Sequence, residues 1–258
     1  MALTAQQSNL IARFNKLRLS GFADMLMNQF NNSAAYIEAT YEDKLEDCLS
    51  AHEQYLGSAR FLRLKKAAGL TDSITLNEIS QKLPLGLERE QIRYLIRNTW
   101  IENAVENIII SGPCGVGKTC LANAIAIHAC KSGYRTLFYK ATELLEELAH
   151  KDNEDRIKYR NKLLKTSVLI LDDFGIKRLS EEAIYELYLM LDSRYNKYPV
   201  IVTTQLKPEG LLSYLGKVST RSEAVIERLC KPAVFINLIG DSKRPERRFT
   251  SDTSNDRK

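Results

Sequence analysis

The sequence predicts an α/β protein, a parallel sheet preceded by a small all-helical N-terminal domain, and three observations carry that prediction. Asn107-Ile108-Ile109-Ile110-Ser111 is a short β-branched apolar run of the kind that fills the middle of a parallel sheet. Ser167-Val168-Leu169-Ile170-Leu171-Asp172-Asp173 is a second such run, and it ends in two carboxylates. The first ~60 residues, by contrast, repeat apolar positions at helical spacing and hold almost no strand signal.

Composition sets the outer limits. The chain has 258 residues, 44% hydrophobic and 27% charged, which is ordinary soluble composition with room for one large domain and an appendage. No apolar run approaches the ~18 residues of a membrane span, and the polar start Met1–Ser8 has neither a basic nor an apolar leader region. A cytoplasmic location without a membrane partner is expected. Five cysteines, odd in number and without a CxxC pair, suggest neither a disulfide framework nor a zinc site. A net charge of +5 is compatible with a polyanionic partner.

Taken in order, Leu10, Ile11, Phe14 and Leu17 form one apolar face and Phe22, Met25, Leu26 and Phe30 another, with Ser20-Gly21 and Asn31-Asn32-Ser33 as punctuation. Tyr41 to Tyr55 makes a third, acidic helix. From Ser58 to Ala67, bases including Arg60 and Arg63 interleave with apolar residues, a pattern that suits either a helix laid on nucleic acid or a solvated helix face. Residues 68–86 carry Gly69, Pro84 and Gly86 and read as a linker, so the helical domain is expected over 1–67 and the α/β domain over 87–240. Leu87 to Trp100 resumes helical spacing, with Trp100 assigned to the core.

After the first strand, Gly112-Pro113-Cys114-Gly115-Val116-Gly117-Lys118-Thr119 turns into a helix on which Leu121, Ala122, Ile125 and Ala129 recur, with Gly133 beyond its end. The glycines allow backbone N–H groups to turn around a diphosphate, and the helix directs its partly positive N-terminus at the same anion. In such a phosphate-binding loop Lys118 reaches the β- and γ-phosphates of ATP and the Thr119 hydroxyl ligates Mg²⁺.

Thr136-Leu137-Phe138-Tyr139 reads as a second strand, followed by a helix from Ala141 to His150. Lys158, Arg160, Lys162 and Lys165 then fall on one basic helix, for which phosphate contact and a solvated face are both open. The acidic strand delivers its carboxylates to the C-terminal edge, where open α/β sheets bind ligands, and two acids buried together call for a cation nearby. Asp172 is the expected Mg²⁺ partner and Asp173 the group that orients or deprotonates the attacking water. Ser180 starts a helix as N-cap. Val200–Thr203 is the next strand, after which Gln205 or Thr204 serves as nucleotide sensor. A short helix, 223–229, bears Arg228, Ala233–Leu238 is the last strand, and 241–258 is a charged tail expected to be disordered.

With these segments placed, the chain resembles the AAA+ ATPases of the helicase-loader clade, in particular the IstB-like transposition helper ATPases, with DnaC-type loaders as relatives. Leu17-Arg18-Leu19-Ser20-Gly21-Phe22-Ala23 looks like that family's N-terminal segment, Leu169–Gly175 like its Walker B region, and Ala224–Leu229 like its arginine-finger helix. The resemblance implies helices on both faces of the sheet, a P-loop ATPase, ATP-dependent homo-oligomers on double-stranded DNA and recruitment of a transposase. It makes Arg228 the arginine finger, with Arg221 as runner-up. Loading of a replicative helicase is the alternative reading. The chain departs from the general AAA+ pattern at Asp173, where glutamate is usual, and after Leu238, where too little chain follows for a full helical lid.

Overall fold

The structure, a computed structural model, describes residues 3–102, 105–215 and 220–242. The expected tail beyond residue 242 lies outside the described residues. Two compact units are present: residues up to Thr71 together with Ala129–Thr136, and Asp72–His128 together with the chain from Leu137 onward.

The first unit holds α1 (Ala5–Lys16), α2 (Ser20–Asn31) and α3 (Tyr41–Ala67). Thr4 with Gln7 and Thr40 with Asp43 form capping boxes that satisfy the free N–H groups opening α1 and α3. Gly21, expected to punctuate, lies inside α2. A Cβ there would stand 2.6 Å from Tyr55 Cβ and 2.8 Å from the Ala51 carbonyl, so only glycine allows α2 this close to α3. Leu17, expected on the apolar face, caps α1 and is exposed. The acidic and basic halves predicted separately for residues 41–67 are one 27-residue helix, α3. Arg60 donates from Nη2 to the Gly133 carbonyl at 2.9 Å and Lys131 lies over Phe61, so Arg60 carries a packing contact.

In the second unit come α4 (Leu76–Gln81), α5 (Arg89–Arg97), α6 (Thr99–Glu102), β1 (Asn107–Ser111) and all but the last three residues of α7 (Lys118–Lys131). β2 (Thr136–Lys140), α8 (Ala141–His150), α9 (Asn153–Leu164), β3 (Val168–Phe174) and α10 (Glu181–Arg194) follow. β4 (Val200–Thr204), α11 (Pro208–Tyr214), α12 (Thr220–Cys230) and β5 (Ala233–Asn237) complete the described elements. The supposed linker 68–86 thus holds a helix: a Thr75–Glu78 capping box starts α4, and Leu76 and Ile79 are buried. Its turn residues are the caps of a short element. No helix among the described residues is long and apolar enough to cross a membrane.

The sheet runs in the order β2-β3-β4-β1-β5, and β1 pairs in parallel with β4 and β5, as β3 does with β4. Ile109, Leu169, Leu171 and Val202 face a core shared with α8, α10 and α12, while Ile108, Ile110, Ile170 and Ile201 are equally buried on the opposite face. Both faces are therefore covered by helices, which is why these strands read as continuous apolar runs. Trp100 is in the core as assigned, its indole N–H donating to the Leu95 carbonyl at 3.2 Å.

At the N-terminal edge of the sheet, Arg194 is buried and donates to the carbonyls of Leu163 (2.8 Å), Thr166 (3.0 Å), Ser167 (3.4 Å) and Pro199 (2.9 Å). These carbonyls precede β3 and β4, and Arg194 adds donors there to the backbone N–H groups of Thr166 and Leu169, which already reach the Leu163 (3.1 Å) and Pro199 (3.4 Å) carbonyls. Burial pulls the guanidinium down to about 10, still charged at neutral pH. Arg194→Met should therefore cost roughly 2–3 kcal/mol of stability, since it removes charged donors from buried carbonyls without creating a cavity. Urea unfolding of the variant against the wild type measures it, and a loss below about 1 kcal/mol would show that the carbonyls find other donors.

Candidate functional site

The turn from β1 into α7 forms the phosphate loop. Gly112, Gly115 and Gly117 all have positive φ (146°, 82° and 107°), which side chains rarely tolerate. A Cβ on Gly112 would stand 2.3 Å from the Leu238 carbonyl, so the chain following β5 fixes this position as glycine. Val116 turns its side chain into the core, leaving the loop's backbone to face outward. Lys118 is buried, and its ammonium donates to the carbonyls of Gly112 (2.8 Å) and Pro113 (2.7 Å). The lysine is thus folded over its own loop, where an anion would meet it.

Asp172 is fully buried at the C-terminal end of β3, and three elements supply its partners. Oδ1 accepts from the hydroxyls of Thr119 (2.9 Å) and Thr203 (2.6 Å), and Oδ2 accepts from the Lys140 ammonium (2.7 Å). Asp173 is partly exposed, and its carboxylate meets the same ammonium at 2.5 Å. Its N–H donates to Thr203 Oγ1 at 2.9 Å. The residue sits in the left-handed region at φ 57°, inside a register shift of β3 against β4 between Leu171 and Phe174. Aspartate tolerates that conformation better than most residues, and the irregularity directs two successive acids toward the same mouth instead of opposite faces. Burial works against the charged form of Lys140, but its hydrogen bonds to Asp172 and Asp173 outweigh it and hold its ammonium above the usual lysine value.

Cys114, Gly115, Gly117, Lys118, Thr119, Cys120, Asp173 and Gln205 line one cavity of about 230 Å³. The structure thereby brings together the predicted loop, Lys118, Thr119, Asp173 and Gln205. Of the two sensor candidates, Thr204 is buried and its Oγ1 accepts from the Leu206 N–H at 3.1 Å, so Gln205 is the one that faces the cavity.

Other predicted residues lie elsewhere. Arg228 donates from Nε to Asp192 at 2.8 Å, places Nη2 2.7 Å from the same carboxylate and lies over the Tyr188 ring. Its carbonyl accepts from the Asn107 amide at 3.0 Å. Asn107 opens β1, so the end of α12 is held at the sheet edge opposite the phosphate loop. Arg221 lies over Tyr185. On α9, Arg160, expected on the basic face, is turned inward and donates to both oxygens of the buried Glu186 at 3.0 and 2.7 Å, joining α9 to α10. Lys158 is exposed beside Glu154 and Asp155, and Lys162 lies over Tyr159 and near the Tyr139 hydroxyl. Lys165 and Arg63 are exposed.

Sequence reasoning missed Lys140 and Thr203. Both end apolar strand runs on the edge that carries the acids, and a polar residue at that position is the signal that could have found them. Thr119, Asp172 and Thr203 offer one carboxylate and two hydroxyls, and among the described residues no group of three or more His, Cys, Asp or Glu is placed to hold a metal ion. That donor set fits Mg²⁺, which takes one or two protein oxygens and completes its shell with water and phosphate, better than a transition metal.

The family model described as IstB-like ATP binding protein matches residues 12–251. An IS1162 insertion-sequence protein of Pseudomonas fluorescens, named for ATP binding, is 32% identical over 76% of this chain and 85% of its own length. An insertion-sequence protein of Sinorhizobium fredii, likewise named, is 28% identical over 93% of this chain and 97% of its own. Among solved structures, the DnaC helicase loader is similar at a TM-score of 0.51 and 25% identity, covering 68% of this chain and 98% of that one. Loop, acidic strand and strand order are those of a P-loop AAA+ fold, and the chain belongs to the IstB-like ATP-binding protein family.

Proposed function

We propose that this protein is the ATP-dependent DNA-binding helper of an insertion sequence, assembling with further copies on duplex DNA and delivering that DNA to a transposase. The observation that carries the reading is the Thr119–Asp172–Thr203 constellation beside a glycine loop and a buried lysine, in a chain whose relatives are insertion-sequence proteins. The loop N–H groups and Lys118 bind the β- and γ-phosphates, with Lys118 exchanging two carbonyls for phosphate oxygens. Mg²⁺, when bound, would neutralise charge on the transferred phosphoryl group, and Thr119 and Asp172 are the residues that would hold it. Asp173 orients the attacking water and accepts its proton, and Gln205 on the facing wall senses the γ-phosphate. A second reading, loading of a helicase, draws on the likeness to the DnaC loader. Nucleotide chemistry is common to both; the partner separates them.

Duplex DNA should raise ATP turnover, and the protein should sediment with DNA only when nucleotide is present. Neutralising the exposed Lys158, Lys162 and Lys165 while keeping Arg160 should weaken binding to all sequences alike and lower the salt slope by about one charge per lost phosphate contact. Turnover indifferent to DNA would remove the helper reading.

Lys118→Ala should weaken ATP binding by about a hundredfold or more in calorimetric titration, whereas Asp173→Asn should keep affinity and lower kcat by about a hundredfold. Equal effects of the two on affinity would overturn the division of roles.

Arg228 cannot serve the pocket of its own subunit from the opposite sheet edge, so its guanidinium is assigned to a neighbouring subunit's γ-phosphate, leaving Asp192 when copies assemble. Arg228→Ala should keep monomer ATP binding, lose nucleotide-dependent oligomers and lower kcat by about a thousandfold. Mixing it with Lys118→Ala should restore some turnover. Wild-type hydrolysis by the Arg228→Ala protein alone would place the finger elsewhere.

A further inference from the structure

Resting on the nucleotide reading above, we propose that Lys140 is a built-in counter-cation for the acidic pair, holding Asp172 and Asp173 in the metal-free protein and yielding its place when a divalent cation enters. Lys140 ends β2, the strand beside β3, so its ammonium arrives at the same sheet edge as the acids. It stands at the N-cap of α8, where an ammonium, having no acceptor, cannot cap the helix N–H groups, and it turns to the carboxylates instead. There it lies 2.7 Å from Asp172 Oδ2 and 2.5 Å from Asp173 Oδ2.

The occupancy of Asp172 makes this more than a surface ion pair. Oδ1 is already taken by Thr119 and Thr203, so Oδ2 is the oxygen left for a cation, and Lys140 has it. Asp172 is fully buried, and an unpartnered carboxylate there would be costly. A divalent ion and an ammonium on one oxygen would repel each other, so the two are alternatives. Lys140 is able to leave: its side chain is 44% exposed and borders an open cavity of about 510 Å³ whose walls include Glu143 and Glu146. Glu143, one helical turn along α8 and exposed, is a ready second partner. Displacement also frees Asp173, so arrival of the cation both fills the site and uncovers the group that receives the proton from water. Lys140 thus positions the acids and competes with the metal.

The test compares wild type, Lys140→Met and Lys140→Arg for binding of Mn²⁺ alone, read from the electron paramagnetic resonance signal of the free ion, and for thermal unfolding in EDTA and in millimolar Mg²⁺. Lys140→Met should bind Mn²⁺ about tenfold more tightly than wild type, because no conformer of the site is closed by the ammonium. In EDTA its Tm should fall by roughly 4 °C, and Mg²⁺ should restore it. Lys140→Arg, which keeps the charge, should follow the wild type in both. If Lys140→Met does not fold, Lys140→Gln replaces it in the same Mn²⁺ comparison. Equal Mn²⁺ affinity in wild type and the uncharged variant overturns the proposal. A wild type that binds Mn²⁺ as expected but no ATP would instead overturn the nucleotide reading, and the two failures are thereby distinct.

Discussion

A carboxylate buried at the end of a strand is the constraint around which this molecule is arranged. Asp172 has no access to water, so its charge has to be met by the protein, and the partners come from three separate places: Thr119 from the start of α7, Thr203 from β4 and Lys140 from the end of β2. Satisfying one side chain therefore sets the relative height of β2, β3, β4 and the β1–α7 turn at a single edge of the sheet. The register shift that places Asp173 in the left-handed region belongs to the same arrangement, because Thr203 takes the Asp173 N–H with the oxygen whose proton it gives to Asp172.

The opposite edge is stabilised by polar groups too, but with a different outcome. Arg194 gathers four carbonyls that precede β3 and β4, and Asn107 joins β1 to β4 and to the end of α12 through Val200, Arg228 and Leu229. There the partners are backbone groups within the fold: the Arg194 Nη atoms and the Asn107 amide all bond to main chain. At the edge that carries the phosphate loop, Lys118 sits on two backbone carbonyls and Lys140 on two carboxylates, contacts that the proposed mechanism exchanges for phosphate and metal.

Basic residues divide in the same way. Arg156 and Arg160 on α9 turn to the buried Glu186, where a charged pair with several hydrogen bonds offsets the cost of burial, while Lys158 and Lys165 stay in solvent. A positive helix can therefore be partly internal wiring and partly available surface, and composition alone does not separate the two.

The chain by itself determined what depends on local spacing. The apolar run at 107–111, the glycines of the loop and Lys118 and Thr119 directly after them follow one another because strand, turn and helix must do so to cradle a phosphate, and the acids at 172 and 173 directly follow the apolar run 168–171 as the end of a separate strand. Only the tertiary structure decided what depends on which strands lie side by side. Lys140 and Thr203 are far from Asp172 in sequence and meet it because the order β2-β3-β4 sets their strand ends next to it. The same holds for Gln205 over Thr204, for Gly21 as a helix-crossing residue and for the inward turn of Arg160. Each was settled by a neighbour from another part of the chain, and side-chain direction at a strand end or on a helix is fixed by such neighbours and not by the residues on either side.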